Sequence, residues 1–343
     1  MSRPWGFWTK YKLELLERYL DRFTTAAKNK VDKIVYLDLF GGEPENHDRL
    51  TLNPIDGSAR IALNTDDPPF THLRFFELEA NAAKLQRAIE HEFAGRDFVV
   101  YPGDSNESIH EALADLRSAG VGWAPTFAFI DPNGPHYTWT TLTALAEHKG
   151  PKAKTKVELW MLFPDPLFAR MLPTSGVLRP IDDEAITKMF GTADWHATWQ
   201  AKLDEEITPT EARAEYVDLM RWRLEQKLGY RWTHQLEIRN ERNRPIYHMI
   251  FATDSEPGHR IMSHLYDLAA QEFPAMAAEA RSIRAQISRR ASGQVDLFEG
   301  SGVELPTTVS STSSGPREKL YIHEPPDALR EHDESTCPYC ARS

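Results

Sequence analysis

The sequence predicts an α/β fold: a mostly parallel sheet with helices on both faces. Three observations carry this prediction. Short apolar runs alternate with segments of helical period through residues 34–163. The segments between successive runs are mostly helical, as parallel strands require of their crossovers. The chain of 343 residues, 41% of them hydrophobic, is long enough for one large core.

The elements follow in order. Residues 8–27 place Tyr11, Leu15, Leu16, Tyr19, Leu20 and Phe23 at helical spacing, so an amphipathic helix is expected to lie on the sheet. Strands are expected at 34–40, 72–77, 97–101, 126–131 and 157–163, with helices at about 57–65, 80–94, 106–119 and 137–148 between them. Residues 181–229 read as helical, with Trp195, Trp199, Tyr216, Met220, Trp222 and Leu224 forming an apolar face. Residues 235–254 read as a β-hairpin around the polar turn Asn240–Arg244, with Pro245 at an edge. A helix at about 257–273 and another to about 290 close the body. From 291 the composition turns to Ser, Thr, Gly, Pro and acids, which bury too little apolar area to offset chain entropy, so 291–343 is expected to be disordered. The expected organisation is therefore a core at 1–180, a helical segment with hairpin and closing helices at 181–290, and a tail.

The formal charge of -11 argues against a protein that coats nucleic acid by charge alone. Two local basic clusters remain candidates: Arg221, Arg223, Lys227, Arg231, Arg239, Arg242 and Arg244, and then Arg281, Arg284, Arg289 and Arg290. Solvated helix faces and hairpin ends are their ordinary explanation. No run is apolar enough to span a bilayer and the N-terminus lacks a signal-peptide pattern, so no membrane and a cytoplasmic location are expected. The two cysteines, Cys337 and Cys340, leave the body without a disulfide. Their spacing is that of a redox pair or of a zinc half-site, in which His323 and His332 could complete four ligands. In a polar segment without a closed shell it is assigned no metal.

In a doubly wound sheet the ligand lies beyond the carboxyl ends of the strands, so the strand-ending residues are informative. The first strand runs into Asp38-Leu39-Phe40-Gly41-Gly42, the second ends in Glu77, and the third is followed by Gly103-Asp104-Ser105-Asn106. The fourth runs into Asp131-Pro132-Asn133-Gly134. With the segments WTKYKLELLERYL, YLDLFGG, GSARIAL, FFELEAN, FAFIDPNG, ELWMLFP and YHMIFATDSEPGHRIM, these turns resemble class I S-adenosylmethionine-dependent methyltransferases. The particular resemblance is to the three-Cys-motif partner proteins, TcmP, and covers roughly residues 8–270. It implies a Rossmann-like class I methyltransferase sheet that binds S-adenosylmethionine.

The resemblance further implies cofactor contacts from Asp38, Phe40, Gly41, Gly42, Glu77, Asp104 and Ser105. Asp131, Pro132 and Asn133 would face the methyl acceptor, in the manner of an amine-binding acidic-Pro-Pro-aromatic motif. Asn133 and Gly134 depart from that motif. Glu43 and Pro44 depart from the usual glycine loop, since proline removes a donor and Glu43 brings a like charge toward the cofactor carboxylate. A methyltransferase fold kept as a non-catalytic module for a cysteine-motif partner protein is the competing expectation. Finally, Gln294, Asp296, Leu297 and Phe298 resemble the pentapeptide by which bacterial DNA polymerases and repair proteins bind the sliding clamp. Methylation of DNA or RNA, with clamp tethering, is the function expected.

Overall fold

The computed structural model describes residues 5–28, 30–151, 153–240, 242–292, 323–337 and 339–340. The chain opens with α1 (Phe7–Lys28), followed by β1 (Val35–Asp38). A small hairpin of β2 (Glu45–His47) and β3 (Pro54–Asp56) precedes α2 (Ser58–Asn64). Next come β4 (His72–Glu77), α3 (Glu79–Glu90), β5 (Phe98–Pro102) and α4 (Ser105–Ser118). Then β6 (Thr126–Ile130), α5 (Trp139–Glu147) and β7 (Glu158–Phe163) complete the parallel run. Four helices follow: α6 (Asp165–Met171), α7 (Pro180–Phe190), α8 (Trp195–Leu203) and α9 (Pro209–Gln226). The hairpin of β8 (Trp232–Arg239) and β9 (Pro245–Thr253) leads into α10 (Glu256–Ser292), and α11 (Asp327–Arg330) lies near the end.

The seven-stranded sheet has the order β5-β4-β1-β6-β7-β9-β8. Its first five strands are parallel, and β9 enters antiparallel between β7 and β8. The fold is thus Rossmann-like with an antiparallel hairpin at one edge. Side chains alternate faces along each strand. Tyr36, Phe75, Phe127, Phe129, Trp160, Met249 and Phe251 pack with α1, α2 and α10 on one face. Leu37, Phe76, Ala128, Ile130, Met161 and Ile250 pack with α4, α5 and α7–α9 on the other.

Three features depart from the sequence-based expectation. The β2–β3 hairpin was not expected, because its strands are three residues long and carry polar residues and Pro54. The two expected closing helices are one helix that continues through Pro274. Before Pro274, Phe273 packs on Phe7 at 5.7 Å and Tyr11 at 5.9 Å and Glu272 pairs with Arg18 at 2.9 Å; after it, Ala277 and Ala280 cluster with Phe7, so contacts with α1 hold the helix on both sides of the break proline would otherwise favour. Residues 323–337, 339 and 340 fall inside the stretch expected to be disordered, yet they include α11 and place Leu329 and Tyr339 against the core.

Candidate functional site

The alternation of side chains brings the strand-ending acids together. Glu77 has the parity of Phe75, Asp38 that of Tyr36, and Asp131 that of Phe129, so all three project from the sheet face that carries α1. Register sharpens this, because Asp38 pairs with Phe75 on one side and with Phe129 on the other. Glu77 and Asp131 therefore stand two residues further on, flanking Asp38 at the carboxyl edge.

Asp38 is fully buried. Its carboxylate accepts hydrogen bonds from the Tyr36 hydroxyl (3.2 Å) and the Phe40 amide (3.3 Å). Burial pushes its pKa up to about 7; hydrogen bonds from Ser58, Phe40 and Tyr36 oppose the rise, and the Asp131 charge adds to it. Asp131 is partly exposed and ion-paired through Oδ2 with Lys12 of α1, whose side chain is only 6% exposed. The Lys12 ammonium also lies 5.5 Å from the Tyr247 ring and 6.0 Å from the Phe129 ring. Lys12 was missed from the sequence. Its signal was there: a lysine four residues before Leu16 and seven before Tyr19 sits on the buried stripe of α1.

Glu77 is held differently. Gly42, at φ +57°, turns its amide onto Glu77 Oε2 at 2.7 Å, while Oε1 accepts from Leu78 N at 2.9 Å and from Asn81 at 3.4 Å. A carboxylate offers about four lone-pair sites, so Oε2 keeps capacity for another donor. The Glu43 carboxylate pairs with Lys84 (3.3 Å) and with Asn46 (3.2 Å), which offsets the like charge expected of it. Gly57 permits the close approach of this loop to α2, because an added Cβ would lie 2.2 Å from the Glu43 carbonyl oxygen. Gly57→Ala should therefore displace residues 43 and 44 and destabilise the fold by about 1–3 kcal/mol, as overpacking against backbone does. A urea titration checks this, and an unchanged midpoint would show that the loop yields freely.

At the third strand end Asp104 caps α4, accepting from the Asn106 amide at 2.9 Å, and Ser105 is buried. Asn106 then reaches the loop after β6, donating to His136 O (2.7 Å) and accepting from Thr138 N (3.0 Å) and Thr141 Oγ1 (2.6 Å). It joins the Asp104 turn to the segment following Asp131, Pro132 and Asn133. Pro132 is buried and Asn133 exposed. A concavity of about 670 Å³ lies between α3 and β5, lined by Glu79, Ala83, Gln86, Val100 and Pro102; none of the three acids lines it.

On the opposite sheet face a second cluster closes the end of β7. Asp165, fully buried, accepts from Arg213 Nε at 2.8 Å and lies 2.8 Å from His248 Nδ1. Arg213 also reaches Glu237 at 3.4 Å. The carboxylate partner of His248 lies 83 residues away in the chain, so no local sequence signal pairs the two.

The basic clusters are partly dispersed. Arg221 is buried and donates to Thr233 Oγ1 at 3.1 Å, and Arg223 is buried with its guanidinium 4.4 Å from the Trp139 ring. Lys227 and Arg231 lie near Trp222 and Trp232, and Arg239 pairs with Glu237. Arg242 and Arg244 are exposed at the hairpin turn. The residues Gln294, Asp296, Leu297 and Phe298 lie outside the described residues. Among the described residues no helix is long and apolar enough to cross a membrane.

No protein-family model matches the chain, and no curated protein matches it. Among solved structures, the protein LPL1258 from Legionella pneumophila str. Philadelphia 1, described as family-model DUF519, aligns with a TM-score of 0.44 and 12% identity. The alignment covers 76% of this chain and 92% of that one. At that score the likeness carries no argument about this chain.

Proposed function

We propose that the protein is an S-adenosylmethionine-dependent methyltransferase acting on an amine of nucleic acid, of the kind its TcmP-like motifs suggest. The observation that carries this reading is the placement of Asp38, Glu77 and Asp131 on one sheet face at the carboxyl edge of β1, β4 and β6. The sheet order, with β9 antiparallel between β7 and β8, supports it as the class I methyltransferase arrangement.

The residues fit the cofactor in part. Glu77 Oε2 retains a lone-pair site for a ribose hydroxyl, and the turn that exposes Asp104 suits an adenine edge. Bound S-adenosylmethionine would supply an electrophilic methyl group. Buried Asp38 would accept from a cationic amine on the methionine side, where a positive neighbour favours its ionised form. Lys12 holds Asp131 by Oδ2, which leaves Oδ1 to accept a hydrogen from the acceptor amine and to orient its lone pair. A base within a duplex must be flipped or single-stranded to reach Asp131. Docking of Gln294, Asp296, Leu297 and Phe298 on a sliding clamp would raise the local concentration of a weak nucleic-acid binder.

Transfer of tritiated methyl from S-adenosylmethionine to DNA, RNA, protein and small-molecule pools tests the reading. We expect label in a nucleic-acid pool and a loss of at least about 100-fold with Asp131→Ala, the scale of a positioned proton acceptor. Label confined to small molecules would contradict the nucleic-acid assignment. A second reading, a non-catalytic partner module for a cysteine-motif protein, is favoured by one observation: Asp131 and Glu77 already engage Lys12 and the Gly42 and Leu78 amides within the chain. Absence of transfer to every pool would favour it.

A further inference from the structure

We propose that His332, Cys337 and Cys340 bind a zinc ion that fastens the C-terminal segment onto α8 and α9. The three ligand atoms all lie within 4.8 Å of one another, and Cys337 and Cys340 carry thiols rather than a disulfide. His332 Nε2 is 3.5 Å from Cys340 Sγ. Tetrahedral zinc with bonds of about 2.3 Å to sulfur and about 2.0–2.1 Å to nitrogen sets those two atoms about 3.6 Å apart. A hydrogen bond between thiol and imidazole gives a similar separation, so the distance is permissive and the rest of the arrangement decides.

The surroundings favour the metal. The His332 side chain is only 8% exposed, and its other nitrogen, Nδ1, is buried without a hydrogen bond, 4.0 Å from Asp194 Oδ1. Histidines that ligate metals through one nitrogen usually present the other N–H to a carboxylate, which fixes the ring and its tautomer. Asp194 is itself buried, immediately before α8. The loop between the ligands is shaped locally: Asp333 Oδ1 accepts from Ser335 N at 2.9 Å, and its carbonyl accepts from Cys337 N at 3.0 Å. Between the two cysteines, Tyr339 stacks on His196 at 4.5 Å with 5° between the rings, and lies 5.6 Å from Trp199. At the start of the same segment His323 pairs with Asp218 at 3.2 Å, so it is an anchor and not a ligand.

Two thiolates and an imidazole form a soft donor set that suits zinc over calcium or magnesium. The fourth position falls to water, and the two thiols give up their protons to solvent as the ion binds. The metal would explain why a segment this polar lies ordered against α8 and α9: the bond energy of the ion adds to the small apolar area of Leu329 and Tyr339.

Metal analysis of the full-length protein, purified with reduced thiols and no chelator, tests the proposal, together with cobalt substitution. We expect about one zinc per chain and, with cobalt, the thiolate charge-transfer and intense visible bands of a tetrahedral site. Cys337→Ser and Cys340→Ser should abolish both signals, and Asp194→Asn should keep the stoichiometry while weakening affinity about 10–100-fold. Circular dichroism confirms that the variants fold. A wild type that takes up neither ion with its thiols reduced, a Cys337–Cys340 disulfide in the metal-free protein as purified from the reduced state, or serine variants that bind normally would overturn it.

Discussion

Asp38→Asn should make the protein more stable than the wild type at pH 8.5, with an advantage that shrinks as the pH falls through about 7 toward 4. The cause is the buried carboxyl at the end of β1, whose pKa is raised to about 7, chiefly by burial. In the unfolded chain an aspartate ionises near its ordinary value of about 3.9. Between those values the folded state keeps a proton that the unfolded state releases, so wild-type stability falls as pH rises through the window and stays reduced above it. At about 1.36 kcal/mol for each pH unit that separates the two values, the full loss is on the order of 4 kcal/mol. Asparagine cannot ionise and is free of this dependence, although its amide needs acceptors that reduce the gain. Urea midpoints for both proteins from pH 4 to 8.5 check it, and parallel profiles would show that Asp38 ionises normally. If Asp38 also contacts the cofactor, the same substitution lowers cofactor affinity while raising stability, a pairing expected where a site is strained for function.

Asp165→Ala should be the most destabilising single change near the site, costing about 3–5 kcal/mol, the usual result of removing one partner from a buried ion pair. Asp165 is fully buried and serves Arg213 and His248 at once, while Arg213 is 22% exposed on its side chain and His248 12%. Its loss strands two polar groups behind β7. Chemical denaturation of Asp165→Ala and Arg213→Met, singly and together, separates the contributions: the double variant should recover part of the loss, because neither charge is then left alone. A cost below about 1 kcal/mol for Asp165→Ala would mean that water replaces the carboxylate without penalty.

Much of the fold was legible because strand and helix periods are strong where a sheet is covered on both faces. The expected strand at 72–77 coincides with β4, and the other four parallel strands differ from β1, β5, β6 and β7 by no more than a residue or two at their ends. The hairpin at the far edge announced itself through Asn240–Arg244 and Pro245. The β2–β3 hairpin was illegible because three-residue strands carry no period. The continuity of α10 was illegible because Pro274 is a local signal that long-range packing on α1 overrides.

The site followed a similar division. Asp38, Glu77 and Asp131 could be found because strand ends mark ligand positions in such sheets, and strand parity places them on one face. Lys12 and the Asp165–His248 pair could not, since their partners are 119 and 83 residues away. The placement of 323–337, 339 and 340 was not legible from composition, because the interactions that hold these residues include ion pairs and ring stacking, which hydropathy does not register.

The central claim is that the acids at the carboxyl edge form a cofactor site. Calorimetric titration of the full-length protein with S-adenosylmethionine, beside Asp38→Ala and Glu77→Ala, tests it most directly. The account predicts one binding event per chain in the wild type and its loss in both variants. No binding by a folded wild type, or unchanged binding in both variants, would contradict it.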